Sequence, residues 1–424
     1  MLLRLIRVIF LLTIAFPCLF VFILHRQSDA FCEFEVALLS LHWMLLFCLA
    51  VWCVFFLFLT FSLKDLPLIG LLLIALASYF IGYAPSWRGM DAIVFFAGVT
   101  LGKGASLFLS GSSRRESALT KNPESDQSGL TSAAAFLIGL VMLLTFSSWW
   151  HLDMTNNFYN GPRWMGLWNS PNIYGILMEA GVVLAIGLLA ANAKLKIKNA
   201  KTNWFLGIAV FMLGVGLVMS YSRGAWVGTA VGLLYLSWCY GKLKWRWVLP
   251  GFFVAAAVVV VFWHSTSDNG PWYLKRLDFS RPSAQHRVSA WRGAVRMMRD
   301  HPLGVGWNHA VATYEKNYSP PADGAAAIIT NDYLMLGTQL GIAALLCFVT
   351  YCALCLRGKG RMENEEGRIQ AACCAGALAL LVAFWFDGGL FDLPTTVVFW
   401  VLLELGAERK VDRGELMVDR PKTV

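Results

Sequence analysis

The fold of this chain is decided by one apolar stretch, Trp204–Trp238, which reads WFLGIAVFMLGVGLVMSYSRGAWVGTAVGLLYLSW. A membrane-spanning helix needs about 20 apolar residues, so this stretch is long enough for two short spans joined by a turn. Only Arg223 interrupts it with a charge, within the sequence Ser220–Gly224. A tight reversal there places Arg223 at the membrane surface, whereas a shallow re-entrant turn places it deeper. An ionisable side chain near membrane depth is costly, so Arg223 is a candidate functional residue.

The composition of the chain indicates an all-α polytopic membrane protein. It has 424 residues, 58% of them hydrophobic and 14% charged, with mean hydropathy +0.59. Soluble proteins carry about 25% charged residues. We expect about 12 transmembrane helices, the first retained because no small-residue cleavage site follows it. The expected spans are 5–24, 36–62, 66–84, 90–109, 132–150, 172–192, 203–220, 223–240, 247–264, 331–356, 369–386 and 390–406.

The distribution of basic residues predicts the orientation. With the N-terminus inside, 23 of the 35 Lys and Arg residues lie in inner segments, 4 in short outer loops and 8 in the long outer segment 265–330. Cytoplasmic loops are the more basic ones, so the net charge of +9 reflects topology and does not indicate nucleic-acid binding. The predicted organisation is nine spans in 1–264 with a flexible cytoplasmic loop at 111–130, a periplasmic loop at 265–330, three spans in 331–407, and a cytoplasmic tail at 408–424.

The long outer segment is rich in arginine and aromatic residues. Residues 284–300 are expected to form an amphipathic helix that lies on the membrane. Its predicted apolar face, at ~100° per residue, carries Val288, Trp291, Val295 and Met298. A neighbouring stripe, which attracts anionic lipid head groups, carries Arg292, Arg296 and Arg299. Arg287 falls at the edge of the apolar face and is expected to point toward the body of the protein.

The cysteines and acids suggest neither redox nor metal chemistry. Nearly all of the ten cysteines fall in apolar runs, and Cys352 and Cys355 are expected to pack inside a helix. Enzymes that use a metal to neutralise a diphosphate leaving group hold it with paired carboxylates, but no Asp-x-Asp occurs in the chain. Arginines are the remaining cations, and guanidinium groups bind phosphate in a two-pronged fashion. No metal and no cofactor is expected.

Four short motifs on the predicted outer side carry a family resemblance. They are the Ser-Arg-Gly turn at Ser222–Gly224, the Arg-x-x-x-Trp helix at Arg287–Trp291, the Pro-Leu-Gly-Val-Gly turn at Pro302–Gly306 and the Asn-x-Tyr-Leu helix start at Asn331–Leu334. In their order and placement, the chain resembles the O-antigen ligase and polymerase family of bacterial inner membranes. The similarity covers residues 160–400, and about twelve helices with a long periplasmic loop are typical of that family.

The resemblance implies transfer of a glycan from undecaprenyl diphosphate to a sugar hydroxyl at the periplasmic face, without a metal. The acceptor is lipid A-core in ligases, which is the expected activity, or a second lipid-linked repeat in polymerases. In this family arginines hold the diphosphate, a role that falls here to Arg223 and Arg287. The expected substrate-binding residues are Arg292, Trp291, Asn331, Tyr333, Asn172 and His309.

The chain departs from the family pattern at Thr330, where the family has a histidine that activates the acceptor. Threonine is no base near neutral pH, so Asp332 is the expected general base. His286 and His309 lie on the same side. Asp332 also fits a first-turn carboxylate that is stabilised by the helix dipole.

Two other classes of function are compatible with a polytopic membrane protein. A transporter needs charged or polar residues at mid-depth in several helices, and Glu179 is the clear acidic candidate. A structural partner protein is the third class. Neither explains an outer segment rich in arginine and aromatic residues.

Overall fold

The computed structural model describes residue 9 and residues 35–82, 91–120, 123–149, 163–168, 170–192, 200–241, 282–319, 331–357 and 365–407. Helices and turns account for these residues, and no β-strand occurs among them. The helices are α1 (Glu35–Thr60), α2 (Leu66–Gly82), α3 (Asp91–Thr120), α4 (Pro123–Trp149), α5 (Pro171–Asn192), α6 (Ala200–Ser220), α7 (Arg223–Cys239), α8 (Pro282–Asp300), α9 (Ala310–Asn317), α10 (Asp332–Leu340), α11 (Ile342–Leu356), α12 (Glu365–Ala383) and α13 (Leu393–Gly406). A short 3₁₀ helix, Leu63–Asp65, precedes α2.

The predicted fold class, all-α with helices that suit a membrane, is confirmed. Within the described residues, five helical segments are long and apolar enough to cross a membrane: Asp91–Leu109, Ser132–Trp149, Pro171–Asn192, Lys201–Ser220 and Glu366–Ala383. Three shorter apolar segments accompany them: Leu46–Thr60, Ile342–Leu356 and Leu393–Gly406. The predicted spans 5–24, except residue 9, and 247–264 lie outside the described residues, as does the tail at 408–424. The count of twelve spans therefore stays a prediction.

The turn at Arg223 is a tight reversal. Helix α6 ends at Ser220 and α7 begins at Arg223, with Tyr221 between them at a positive φ of 51°. At the other end of α7, the Tyr240 hydroxyl donates to the carbonyl oxygens of Gly187 (2.8 Å) and Arg368 (3.2 Å). Helix α7 therefore runs back to the far end of the bundle, where α5 ends and α12 begins. The opposite end, which carries residues 220–224, is called the site end below.

The predicted loop at 111–130 is largely helical. Helix α3 continues to Thr120 and α4 begins at Pro123, so residues 111–120 and 123–130 extend the two apolar helices. The serines of this segment are the reason that a flexible loop, and not a helix, was predicted from the sequence. Arg, Glu, Ala and Leu residues within 111–120 are good helix formers, and a helix that already exists is extended at little cost.

The predicted span 331–356 is two helices rather than one. Gly341 adopts φ 90° and separates α10 from α11. The loop Pro302–Gly306 fills the break: the N–H groups of Val305 and Gly306 donate to the carbonyls of Thr338 and Gln339, both at 3.0 Å. In turn, the Ile342 N–H donates to the Pro302 carbonyl, also at 3.0 Å. The Pro-Leu-Gly-Val-Gly motif thus satisfies backbone groups that a broken helix leaves unpaired.

A second, smaller core forms over the site end of the bundle. It joins α8, α9 and α10, which together with residues 301–309 are called the cap. Its buried members are Ala290, Ala294, Met297, Met298, Ala310, Tyr314, Leu334 and Met335. The cap is anchored to the bundle by Trp307, whose buried indole N–H donates to the Ala75 carbonyl of α2 at 2.8 Å.

At the far end, one buried lysine connects four elements. Lys103 of α3 donates to Asp65 (2.6 Å) and to the Tyr351 hydroxyl (2.8 Å), and it pairs with Glu404 at 3.0 Å. All four side chains are buried. Charges at this depth are tolerated only when they are paired and hydrogen-bonded, so this network fixes how α3, α11 and α13 meet.

We expect Gly102→Ala to destabilise the bundle, because its Cβ would lie 2.8 Å from the backbone carbon and oxygen of Trp400 in α13. Overpacking of this kind costs about 1–3 kcal/mol. Gly139→Ala in α4 is the matched control, since its Cβ meets nothing within 4 Å. Thermal unfolding of both variants in detergent measures the difference. Equal melting temperatures would contradict close packing of α3 on α13.

Candidate active site

The turn before α7 places Arg223 at the site end. Ser222 caps the helix: its hydroxyl oxygen accepts from the Ala225 N–H at 3.2 Å. The Ser220 carbonyl accepts from Nε of Arg163 at 2.6 Å. Arg223 therefore begins a helix on a turn whose other polar groups are already bonded, and the helix N-terminus adds positive potential there.

Asn172 belongs to the same corner. Its Oδ1 accepts from Nη2 of Arg163 at 2.7 Å, so Arg163 links the start of α5 to the end of α6. Arg163 is only 2% exposed. Gly175, one turn further along α5, permits the close approach, because a Cβ there would lie 2.8 Å from the Ser220 hydroxyl oxygen. The predicted site residue Asn172 thus lies beside the turn that carries Arg223.

Asp387 connects this turn to the end of α12. The Ser222 hydroxyl donates to Oδ2 of Asp387 in a short hydrogen bond. Gly224 leaves room for the carboxylate, since a Cβ at Gly224 would lie 2.7 Å from the same oxygen. The residues on both sides of Arg223 therefore contact Asp387.

Arg287 reaches the same carboxylate from the cap. Its Nη1 donates to the Phe386 carbonyl at 2.8 Å, and its Nη2 lies 3.7 Å from Oδ1 of Asp387. The Arg287 side chain is 30% exposed and that of Asp387 is 6% exposed. The predicted inward direction of Arg287 is confirmed. Arg287 thus reaches the carboxylate that also binds Ser222, the residue before Arg223.

Two elements with basic residues converge on Asp387. Arg287 contacts the carboxylate directly, whereas Arg163 bonds the Ser220 carbonyl of the turn whose Ser222 donates to the same carboxylate. Glu179 lies about two helical turns below Asn172, fully buried against Gly228, with no hydrogen-bond partner for its carboxylate among the described residues. Burying an acidic side chain without a hydrogen-bond partner is costly.

The predicted residues Asn331, Asp332 and Tyr333 fasten α10 to the loop around Asp387. Asn331 caps α10 by accepting from the Leu334 N–H at 3.1 Å. The Asp332 carboxylate, 3% exposed, accepts from the Leu390 N–H at 2.8 Å, and the Tyr333 hydroxyl donates to the Leu381 carbonyl at 2.7 Å. All three side chains hold the backbone in place, and Asp332 binds the loop that follows Asp387.

Three aromatic rings lie next to the arginine corner. Trp385 packs against Trp291 of α8 with ring centroids 5.9 Å apart, and against Tyr333 of α10 at 5.5 Å. The structure therefore brings the predicted residues Trp291 and Tyr333 together, through a tryptophan that the sequence did not single out. A groove of about 460 Å³ begins at these rings. Between α11 and α12, its walls are lined by apolar side chains that include Phe348, Cys352, Leu381 and Phe386.

Arg292 and His309 do not join this corner. Arg292 is exposed on the side of α8 opposite to Arg287, because five residues turn a helix by ~140° beyond one full turn. His309 precedes α9, and none of the hydrogen bonds described above involves it. Residue Thr330 and the side chain of His286 lie outside the described part of the chain.

The sequence reading missed Asp387, Ser222, Arg163 and Trp385. A signal for Asp387 was available: an acid followed by Gly388 and Gly389 directly after a predicted span marks a backbone that turns sharply beside a charge. Arg163 was visible only as a basic residue in an outer loop. Among the described residues, no group of three or more His, Cys, Asp or Glu side chains is placed to hold a metal ion.

The comparison with protein families agrees with this geometry. Residues 208–349 match the sequence model of the O-antigen ligase family. Over these residues the chain is similar to O-antigen ligases. The match runs from within α6 to within α11, so it includes Arg223, Arg287 and Asp332 and ends before Asp387. No curated protein matches the chain.

Proposed function

We propose that this protein transfers a glycan from undecaprenyl diphosphate to a sugar hydroxyl of lipid A-core at the periplasmic face of the bacterial inner membrane. The observation that carries the proposal is the meeting of Arg287 with the Ser222–Gly224 turn at Asp387. Together with the similarity to O-antigen ligases, this corner supports a diphosphate clamp. The polymerase reaction, with a second lipid-linked glycan as acceptor, uses the same donor site.

The clamp acts on the leaving group. When the bond to the sugar breaks, negative charge develops on the departing diphosphate, and fixed cations that point at it lower the barrier. Charge-assisted hydrogen bonds contribute about 1.5–3 kcal/mol each. Arg223 is fixed by its helix start, and Arg287 is held by the Phe386 carbonyl and Asp387. The Arg287 guanidinium is thus positioned before the substrate binds, and the backbone of Arg223 is fixed at the neighbouring turn, which supports a metal-independent transfer.

The apolar groove suits the lipid tail of the donor. It begins beside Phe386, whose carbonyl binds Arg287, so a phosphate at the arginines and a hydrocarbon chain in the groove are neighbours. The aromatic rings of Trp385 and Tyr333 line its opening. Residues of α11 and α12 form its walls down to Leu356. A diphosphate carried on an isoprenoid suits a basic residue at the corner beside an apolar groove that takes the first part of the chain.

Asp387 is the carboxylate that we assign as general base. The acceptor hydroxyl gives its proton to Asp387, its oxygen bonds to the anomeric carbon, and the diphosphate departs with the electron pair of the old bond. Asp387 lies at the arginine corner, whereas Asp332 accepts from the backbone of Leu390. Asp332, the base expected from the sequence, is the second candidate.

Arg287→Ala and Arg223→Ala should each lower kcat/KM by about 10²–10³, the loss typical of one donor to a developing anion. Lys at either position should restore only part of the rate, because the two-pronged geometry is lost. The assay uses purified protein in vesicles with lipid-linked glycan and lipid A-core, with and without EDTA. EDTA should not change the rate.

Lys316→Ala, at an exposed position on α9, is the control for the loss of a positive charge. Near-normal transfer by both arginine variants would contradict the clamp. Transfer that disappears with EDTA and returns with magnesium would contradict the metal-independent mechanism.

Asp387→Asn should lower kcat by about 10²–10⁴, because the proton acceptor is lost. Asp332→Asn keeps an oxygen for the Leu390 N–H, so it should retain most of the transfer rate. Asp332→Ala should unfold more easily, because a buried N–H loses its partner. Asp300→Asn, at an exposed carboxylate on α8, is the control. If Asp332→Asn instead loses more of the transfer rate than Asp387→Asn, Asp332 is the base.

Ala353→Phe should obstruct the groove and raise KM for the natural long-chain donor, while leaving kcat for a donor with a short isoprenoid chain near normal. Val227→Phe, on the exposed surface of α7, is a control of the same chemistry away from the groove. Kinetics with both donors measure the difference. Equal loss with the long-chain and short-chain donors would place the tail elsewhere.

A further inference from the structure

Helix α8 presents two different sides. One side packs into the cap through Ala290, Ala294 and Met297, all buried. On the other side, Val288 and Val295, which the sequence placed on an apolar face lying on the membrane, are 44% and 54% exposed. Alanines and methionines face the protein, and valines face outward.

Three arginines share that outward side. With ~100° per residue, all the outward-facing residues fall within an arc of about 100°. They are Val288, Arg292, Val295, Arg296 and Arg299. All three arginine side chains are exposed, and within the described part of the chain no ion pair neutralises them. The carboxylate of Asp300, the next residue along, accepts from the Tyr318 hydroxyl at 2.9 Å.

The outward side of α8 is continuous with the exposed apolar surface of α11. The loop after α8 exposes Leu303 at 85%, and Leu303 packs over Gly341, where α11 begins. Along α11 the exposed side chains are Ile342, Leu346 and Val349, at 40%, 61% and 46%. At the other end of α8, Arg287 binds the site end of α12. Both ends of α8 therefore rest on helices of the bundle, and its apolar outward residues extend their lipid-facing surface.

A helix side on which valines and arginines alternate fits one kind of surroundings, the interface of a membrane. A membrane interface accepts apolar side chains into its hydrocarbon boundary, and long basic side chains bend back to the phosphate layer. Each basic residue near an anionic bilayer contributes to binding. An aqueous surface explains the arginines but not the exposed valines and Leu303.

We propose that α8 lies in the head-group layer of the bilayer, with Val288, Val295 and Leu303 in its apolar part and Arg292, Arg296 and Arg299 on the phosphates of anionic lipids. The same contact fixes the rotation of α8 and therefore holds Arg287 over Asp387. Anionic lipid thus raises the rate of the transfer reaction, a consequence that rests on the proposed function.

A spin probe on the full chain tests the position of α8. A nitroxide coupled to a ketone-bearing residue at 295 leaves the ten native cysteines untouched. The protein is reconstituted in phosphatidylethanolamine vesicles with increasing amounts of phosphatidylglycerol. The probe should collide with oxygen in preference to a water-soluble nickel complex, and more so as phosphatidylglycerol increases. A probe at Ala312, exposed on α9, is the aqueous control. Equal nickel access at 295 and 312 would overturn the proposal.

Charge variants test the role of the arginines. Replacing Arg292, Arg296 or Arg299 with Gln weakens the attraction to anionic lipid. Each replacement should raise about fivefold the fraction of phosphatidylglycerol at which half of the change in probe depth at residue 295 has occurred. Lys316→Gln, at an exposed position on α9, should leave that fraction unchanged. An unchanged fraction in the variant that lacks all three arginines would overturn the assignment to anionic lipids.

Measurements of the transfer rate distinguish the proposed position of α8 from the proposed transfer function. Phosphatidylglycerol should stimulate transfer by the native chain, and the triple variant should remain at the rate found in phosphatidylethanolamine alone. Stimulation that is equal in both proteins would overturn the coupling between α8 and the site. A probe at 295 that contacts the membrane in a protein that transfers no glycan would contradict the proposed function and support the position of α8.

Discussion

The contact of Arg287 with the Phe386 carbonyl and the Asp387 carboxylate is the interaction on which the site depends. It brings a residue of the cap to the end of α12, where Ser222 already holds the same carboxylate. One acid thus orders two cationic elements that come from distant parts of the chain. The Asp387 carboxylate also lowers the cost of holding the Arg287 guanidinium in surroundings of low polarity.

The position of that acid rests in turn on backbone hydrogen bonding. Between α12 and α13 the chain leaves helical geometry, with Gly388 and Gly389 at positive φ. Its freed groups find partners in α10: Asp332 accepts from Leu390, and the Asp332 N–H donates to the Phe384 carbonyl at 3.0 Å. Irregular backbone near membrane depth persists only where protein groups replace water. The break at Gly341 follows the same rule, with the Pro302–Gly306 loop as its partner.

Sequence reading predicted what depends on local pattern. Apolar runs gave the helices, the Ser-Arg-Gly turn gave the start of α7, and helical spacing gave the inward direction of Arg287. It did not predict what depends on long-range contact. Asp387 lies 100 residues from Arg287 along the chain, and a glycine inside an apolar run does not reveal whether the helix breaks there. Spacing also placed Val288 and Met298 on one membrane-facing apolar face, but Met298 packs in the cap core while Val288 is exposed, a division that spacing alone does not predict.

The two arginines of the site are held by cores of different size. Arg223 starts a helix inside the bundle, whereas Arg287 sits on α8, which is held by a small core of alanines, methionines, one leucine and one tyrosine. Small apolar cores with exposed helices open at lower free energy than large ones. The proposed clamp needs both guanidinium groups at once, so its strength depends on how firmly α8 is seated.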